Sequence, residues 1–450
     1  MRDLSKIVKA YDIRGVVPDE LDDETVRAVG AAFARFTKAP SIVVAHDMRE
    51  SSGPFSRAFA EGATSQGANV VLAGLASTDM LYFAAGFLDM PGAMFTASHN
   101  PAKYNGIKLC LAGAKPVGQE TGLIEIRDLA QSGVPAFSGA PGTVSERDLV
   151  EEYAKFLRGL VDLSQIRPLT VVVDAGNGMG GYTVPRVLSG LPLDVRPMYF
   201  ELDGNFPNHE ANPIDPKNLV DLQAKVRETG ADIGLAFDGD ADRCFVIDER
   251  GEIVPPSAIT ALVAVRELAK SPGSSIIYNL ITSKAVPEIV REHGGNPVRS
   301  RVGHSFIKAT MGETNAVFGG EHSAHFYFRD FWRADSGMLA ALHVLAALGE
   351  TPAGTPLSQL LSEYTRYVAS GEINSTVDDQ AAVTANVKQK YEAQPGVEID
   401  ELDGLTVTAP TWWFNLRPSN TEPLLRLNVE ADDQATLDKV RDEVLALVRG

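Results

Sequence analysis

Along the 450 residues the spacing of apolar side chains switches repeatedly between the periods of strand and helix. Val26, Val29, Phe33 and Phe36 recur on one helical face, and the run Ser41-Ile-Val-Val-Ala45 that follows reads as a short buried strand. A helix over 53–67, a strand over 69–73, a helix through 82–87 and a strand over 92–95 come next. Such alternation predicts βαβ units and a mainly parallel sheet. A second unit runs from a strand over 169–174 through a helix over 218–229 to a strand over 231–237. The third takes a helix over 257–270, strands over 275–279 and 316–319, and a helix over 336–348. The pattern then changes: 404–410 and 412–430 read as antiparallel strands, closed by a helix over 433–449. Three α/β units and a smaller α+β unit are predicted, with the Pro-, Gly- and Ser-rich stretch 136–143 as a boundary after the first.

Composition narrows the function. Hydrophobic residues at 44% and charged residues at 22% suit a globular chain with real cores. A net charge of -18 disfavours nucleic acid and anionic membrane as partners, so an anionic substrate must find positive residues gathered locally. Cys110 and Cys244 are the only cysteines, both in strand-like segments, which leaves no disulfide framework and no zinc spacing. The first ten residues have no long apolar region, and the longest apolar run, 338–349, contains His343 and is too short to span a bilayer. A cytoplasmic protein is expected.

Candidate chemistry collects after strands. Asp238-Gly-Asp-Ala-Asp-Arg243 places three carboxylates at spacing two beyond a buried strand, where ligand sites form in open α/β sheets. Crowded carboxylates call for a hard divalent cation. A solvated acidic turn is the plain alternative. An EF-hand fails, because Arg243 stands at the glycine position and the flanks are strands. Thr96-Ala-Ser-His-Asn-Pro101 also follows a strand and reads either as a turn or as a loop presenting Ser98 as nucleophile, with His99 beside it and Lys108 returning to the same place. Arg14, in Tyr11-Asp-Ile-Arg-Gly15, could grip an anion. In Gly319-Gly-Glu-His-Ser-Ala-His325 an extended backbone would put Glu321, Ser323 and His325 on one face, suited to sugar hydroxyls. Arg417-Pro-Ser-Asn-Thr-Glu-Pro423 reads as a polar hairpin or as a wrap around phosphate. Gly176-Asn-Gly-Met-Gly-Gly181 fits the dinucleotide fingerprint, which keeps an NAD-dependent oxidoreductase as a rival.

Taken together and in order, these motifs resemble the α-D-phosphohexomutase family, in its phosphomannomutase/phosphoglucomutase branch, over essentially the whole chain. The resemblance implies three similar α/β domains with mixed, mainly parallel sheets and a C-terminal α+β domain around a central active-site cleft. The expected domains are 1–146 with a phosphoserine loop, 147–252 with a metal loop, 253–367 with a sugar loop and 368–450 with a phosphate loop. It implies that phospho-Ser98 carries the phosphoryl group between hexose 6-phosphate and hexose 1-phosphate through a hexose 1,6-bisphosphate, which also serves as activator. Asp238, Asp240 and Asp242, with Ser98, would hold Mg²⁺; His99, Lys108, His325 and Arg14 would assist the chemistry. Arg243, Arg301, Gly303, His304, Glu321, Ser323, Arg417, Ser419, Asn420, Thr421 and Arg426 would bind substrate. His322 and Ala324 depart from the family's usual Met and Gly in the sugar loop, and Arg301 stands where Lys is common. Mannose phosphates are the favoured substrates, with glucose phosphates as a second class, and a monomer or weak dimer is expected. A non-catalytic sugar-phosphate binding protein is a further alternative, disfavoured because Ser98 and Lys108 are intact.

Overall fold

The computed structural model describes residues 3–419 and 424–450. Four sheets follow one another along the chain. The first has seven strands, with Ile13–Val16 at one edge and Val144–Glu146 at the other; the parallel strands Ser41–His46, Asn69–Leu75 and Gly92–Phe95 lie between them, and Tyr104–Leu111 runs antiparallel to Gly92–Phe95. In the second, Leu169–Asp174, Leu193–Met198 and Ile233–Phe237 are parallel, and Cys244–Ile247 returns antiparallel. The third repeats that plan with Ser275–Asn279, Asn296–Ser300 and Phe318–Gly320 parallel and Phe326–Phe328 antiparallel. The fourth is wholly antiparallel, in the order Val368–Thr376, Leu424–Ala431, Trp412–Pro418, Leu405–Ala409, Glu398–Asp400, with Gln434–Arg449 packed on it. Three α/β domains and a C-terminal α+β domain are therefore present. Among the described residues no helix is long and apolar enough to cross a membrane.

In the three α/β domains the motif loops occupy the same station of the sheet. Residues 96–103, 238–243 and 321–325 each connect a parallel strand to the antiparallel strand beside it. These connections lie at the carboxyl ends of the parallel strands, where helix-covered sheets leave their ends free for ligands. The segment 321–325 is a turn and not extended: Ala324 N donates to Glu321 O, Glu321 N donates to His325 O, and Ala324 has φ +63°. The expected alternating face is thus replaced by a tight hairpin that gathers Glu321 and His325 by curvature.

Close backbone approach brings the first two loops together. A Cβ on Gly239 would lie 2.4 Å from the carbonyl oxygen of Ser98, so only glycine lets the loops touch. Gly178 supports Gly239 from behind; a Cβ there would meet Gly239 O at 2.6 Å, and Met179 N donates to the same oxygen at 2.9 Å. The Gly-rich turn that resembles a dinucleotide fingerprint is spent on buttressing the acidic loop.

One apolar cluster runs through all of the first three domains, the first and third domains each have a further separate cluster, and the fourth has its own. Phe83 of the first domain, Phe156 of the second and Trp332 of the third cluster together, Phe156 stacking on Trp332 at 5.1 Å. Asp79, fully buried at the same junction, accepts hydrogen bonds from Tyr153 Oη (2.7 Å) and Ser336 Oγ (2.6 Å), one from each neighbouring domain, and from Ser77 Oγ. Burial pushes its carboxyl up to about 6, against these hydroxyl donors. The folded state then keeps a proton on Asp79 that the unfolded chain has released, so stability falls as pH rises from about 3.8 to about 6. Asp79→Asn is expected to remove this component, up to about 3 kcal/mol, from the difference in urea-unfolding free energy across that window. Parallel pH curves for the two proteins would show that Asp79 does not titrate there.

Candidate active site

Asp238, Asp240 and Asp242 converge, each at most 1% exposed, with carboxylate oxygens within 4.8 Å of one another. Ser98 Oγ donates to Asp238 Oδ2 at 2.9 Å. Lys108 Nζ lies 2.7 Å from both Asp240 Oδ2 and Asp242 Oδ2, and Arg243 reaches Asp238 Oδ2 through Nε (2.9 Å) and Nη2 (2.8 Å). Thr78 Oγ1 donates to Asp240 Oδ2 at 2.5 Å. The Oδ1 atoms of Asp240 and Asp242 are buried with no hydrogen-bond partner, so the trio retains oxygen ligands for a divalent cation. Burial pushes the Asp238 carboxyl up to about 7, against Arg243. Burial acts in the same direction on Asp240, but Lys108 outweighs it and holds that carboxyl below its ordinary range. The same pairing, with Asp242, keeps Lys108 protonated despite burial.

Three more sequence candidates stand at this cluster. His99 Nδ1 lies 3.3 Å from Ser98 Oγ and 2.6 Å from Arg243 Nη2; burial and the cations Arg243 and Arg14 hold its ring neutral. Arg14 Nη1 donates to Asn100 Oδ1 at 2.5 Å and Nη2 pairs with Asp12, while its buried Nε has no partner. His325 comes from the third domain, with Nδ1 3.1 Å from Asp335 Oδ2 and 3.9 Å from Asp242 Oδ1. Burial opposes a charge on this imidazole, but Asp242 and Asp335 overcome it and raise its pKa.

The remaining candidates lie in the third and fourth domains. Glu321 accepts from Tyr327 Oη (2.6 Å), Gly303 N (3.2 Å) and Asn279 Nδ2 (3.3 Å). His304 packs edge-on against His325 at 4.0 Å and meets Tyr327 Oη at 2.9 Å; burial and His325 lower its pKa to about 4. Ser323 is half-buried in the turn, and Arg301 is exposed over the Phe306 ring at 4.6 Å. In the fourth domain Arg417 and Arg426 face each other across the hairpin, each with a buried Nε lacking a partner, and Arg426 meets Glu372 at 3.5 Å. Ser419 N donates to Leu424 O at 2.8 Å, closing that hairpin; Asn420 and Thr421 lie outside the described residues.

Several residues that sequence reasoning passed over hold the site. Arg49 donates to the carbonyls of Ser98 (2.9 Å), Asn100 (2.7 Å), Pro101 (3.1 Å) and Tyr104 (3.0 Å), is paired with Asp47, and lies under the Phe206 ring. It clamps a loop in which Ser98 adopts φ +50°, a left-handed conformation that costs a non-glycine residue about 1 kcal/mol or more. Its position just past the strand Ser41–His46 was the available signal. Asp335 and Lys308 pair at 2.9 Å beneath His325. His304, His325 and Asp335 also satisfy the spacing of a metal cluster, but Lys308 already supplies the positive charge there.

The arrangement combines a hydroxyl on a buried carboxylate, a cation-binding trio, three fixed cations and a histidine, which suits transfer of an anionic group. Comparison with known proteins agrees. The chain matches the phosphoglucomutase/phosphomannomutase alpha/beta/alpha domain I over residues 5–133, domain II over 151–251, domain III over 255–367 and the C-terminal domain over 372–447. It is 41% identical to a protein of Xanthomonas campestris named as phosphohexose mutases, covering 98% of this chain and 99% of that one, and 39% identical to an Escherichia coli phosphomannomutase, covering 98% of each. A solved phosphoglucomutase/phosphomannomutase family protein from Burkholderia thailandensis superposes with a TM-score of 0.89 at 33% identity, over 98% of this chain and 97% of that one. The chain belongs to the phosphoglucomutase/phosphomannomutase family.

Arg49→Lys keeps the charge but loses the planar fork, leaving buried carbonyls unpaired at about 1–3 kcal/mol each. The expected result is a lower melting temperature and faster amide exchange confined to residues 98–104, read by hydrogen-exchange mass spectrometry. Unchanged exchange in that segment would mean that the clamp does not hold the loop.

Proposed function

We propose that the chain is a phosphohexomutase that interconverts hexose 6-phosphate and hexose 1-phosphate, with mannose phosphates preferred and glucose phosphates also accepted. The observation that carries this reading is the Ser98 hydroxyl, 2.9 Å from Asp238 inside the buried carboxylate trio. The names of the Xanthomonas and Escherichia relatives support the substrate class. A phosphate on Ser98 Oγ passes to the free hydroxyl of the sugar monophosphate, giving a 1,6-bisphosphate; that intermediate turns over, and its other phosphate returns to Ser98 Oγ. A hexose 1,6-bisphosphate therefore also activates unphosphorylated protein.

Asp238, Asp240 and Asp242, with an oxygen of the Ser98 phosphate, would hold Mg²⁺, which supplies Lewis acidity to the transferring oxygens. Phosphoryl transfer asks mainly for positioning and charge neutralisation. Arg14, Arg243 and Lys108 surround the reacting phosphate, and Lys108 is set beside two of the carboxylates. His325 exchanges the proton of the attacked hydroxyl as general acid–base, and neutral His99 steadies the Ser98 oxygen. Glu321, Ser323, Gly303, His304 and Arg301 form the sugar-binding shelf. Arg417 and Arg426 bind the distal phosphate with Ser419, Asn420 and Thr421: two guanidinium groups placed opposite each other on adjacent strands repel unless an anion lies between them. The protein acts as a monomer or weak dimer in the cytoplasm.

Ser98→Ala is expected to lose nearly all turnover of mannose 1-phosphate while still binding it, and wild-type protein should carry a fraction with one added phosphate by intact mass. Full turnover by Ser98→Ala with bisphosphate present would overturn the proposal. Chelation of divalent metal should abolish turnover and Mg²⁺ should restore it; indifference to the chelator would remove the metal role of the three aspartates.

A further inference from the structure

We propose that Asp335 is a positioning residue for His325, fixing the ring's tautomer and orientation, with Lys308 holding Asp335 in its ionised form. The inference rests on the reading of His325 as the proton-exchanging group of the mutase.

The placement follows from the third sheet. Asp335 sits on the strand Ala334–Asp335, in register opposite Tyr327, and His325 immediately precedes the strand Phe326–Phe328. The ladder therefore sets the Asp335 carboxylate beneath the imidazole, where Oδ2 lies 3.1 Å from His325 Nδ1. A carboxylate can only accept, so this contact puts the ring's proton on Nδ1 and leaves the lone pair on Nε2. An imidazole that is to take a hydroxyl proton needs that lone pair.

The surroundings secure the arrangement. Asp335 is fully buried, and an uncompensated carboxylate there would take up a proton and become a donor. Lys308 Nζ, itself buried, meets Asp335 Oδ1 at 2.9 Å and lies over the rings of Tyr82 (4.2 Å) and Tyr327 (5.7 Å). His304 closes the other side of His325, ring centroids 4.0 Å apart and nearly perpendicular, and is itself held by Tyr327 Oη. The imidazole is thus confined by a ring on one side and oriented by a carboxylate below. Nothing else in the proposed chemistry uses Asp335 or Lys308.

The test uses the full chain. In wild type labelled with ¹⁵N-histidine, the His325 signal, assigned by its loss in His325→Ala, should show the Nδ1–H tautomer in the neutral ring; an Nε2–H tautomer overturns the inference without any variant having to fold. Asp335→Asn, whose amide can donate to Nδ1, should move the proton to Nε2 and lower kcat for mannose 1-phosphate about 100-fold or more, the scale of a general acid–base contribution, with KM within about twofold. In the His325→Ala background the same change should cost little further. An equal loss in both backgrounds, or an unaltered kcat in Asp335→Asn, overturns positioning while leaving the mutase reading intact. Failure of that reading shows separately, as turnover surviving in Ser98→Ala.

Discussion

Burying three carboxylates side by side is the constraint around which the rest of the molecule is arranged. Two like charges about 4 Å apart repel by about 4 kcal/mol at an effective dielectric constant near 20, and here three are removed from water together. Two permanent cations, Lys108 from the first domain and Arg243 from the acidic loop itself, stand against them. Three negative charges less two positive ones leave one unit of negative charge, and burial with this imbalance keeps Asp238 only weakly acidic. A divalent cation would overshoot by one unit and so favour an additional anion. The composition of the cluster thus favours metal and phosphate arriving together, which suits the proposed phosphoserine.

The same economy explains how a chain with net charge -18 can serve an anionic substrate. Its surface field is unfavourable, but the cations that matter are inside, fixed to carbonyls, carboxylates and rings. Arg49, Arg243 and Lys308 are each nearly inaccessible, and Arg14 is held by Asn100 and Asp12. Around the reacting hydroxyl, positive charge is thus gathered locally whatever the outer surface carries.

Part of the fold was legible in the apolar pattern: Ser41–His46, Leu169–Asp174, Pro256–Lys270 and Gln434–Arg449 lie where the pattern put them, within a residue or two, and Asp23–Thr37 carries the face of Val26, Val29, Phe33 and Phe36. Other elements were not, including the amphipathic helices Val150–Leu160 and Ala285–Glu292 and several weakly patterned ones. Gln380–Glu392 buries only Val387 and Tyr391, and Val368–Thr376 is a largely exposed edge strand with a register shift between Ala369 and Glu372. The motif loops were visible because their polar residues follow buried strands directly. Their supports were not: Arg49 earns its role from four carbonyls spread over residues 98–104, and Asp335 from a ladder partner eight residues away. Such contacts join separate segments of the chain, so the sequence marks at most where the side chain starts, as it does for Arg49 just past the strand Ser41–His46. The turn at 321–325 shows the reverse error, where a spacing-two pattern suggested an extended face and the hairpin's curvature did the gathering instead.

Because the loops 96–103, 238–243 and 321–325 each bridge two adjacent strands of one sheet, none of the three has slack. Residues 238–243 are anchored at Phe237 and Cys244, which are themselves ladder partners, so an inserted residue would have to bulge into the neighbouring loop or break the register. Length variation in relatives should therefore accumulate elsewhere, in stretches such as 133–143 that run between secondary-structure elements. Divergence toward a different sugar would have to proceed by exchanging side chains at fixed backbone stations or by changing how whole sheets tilt against one another.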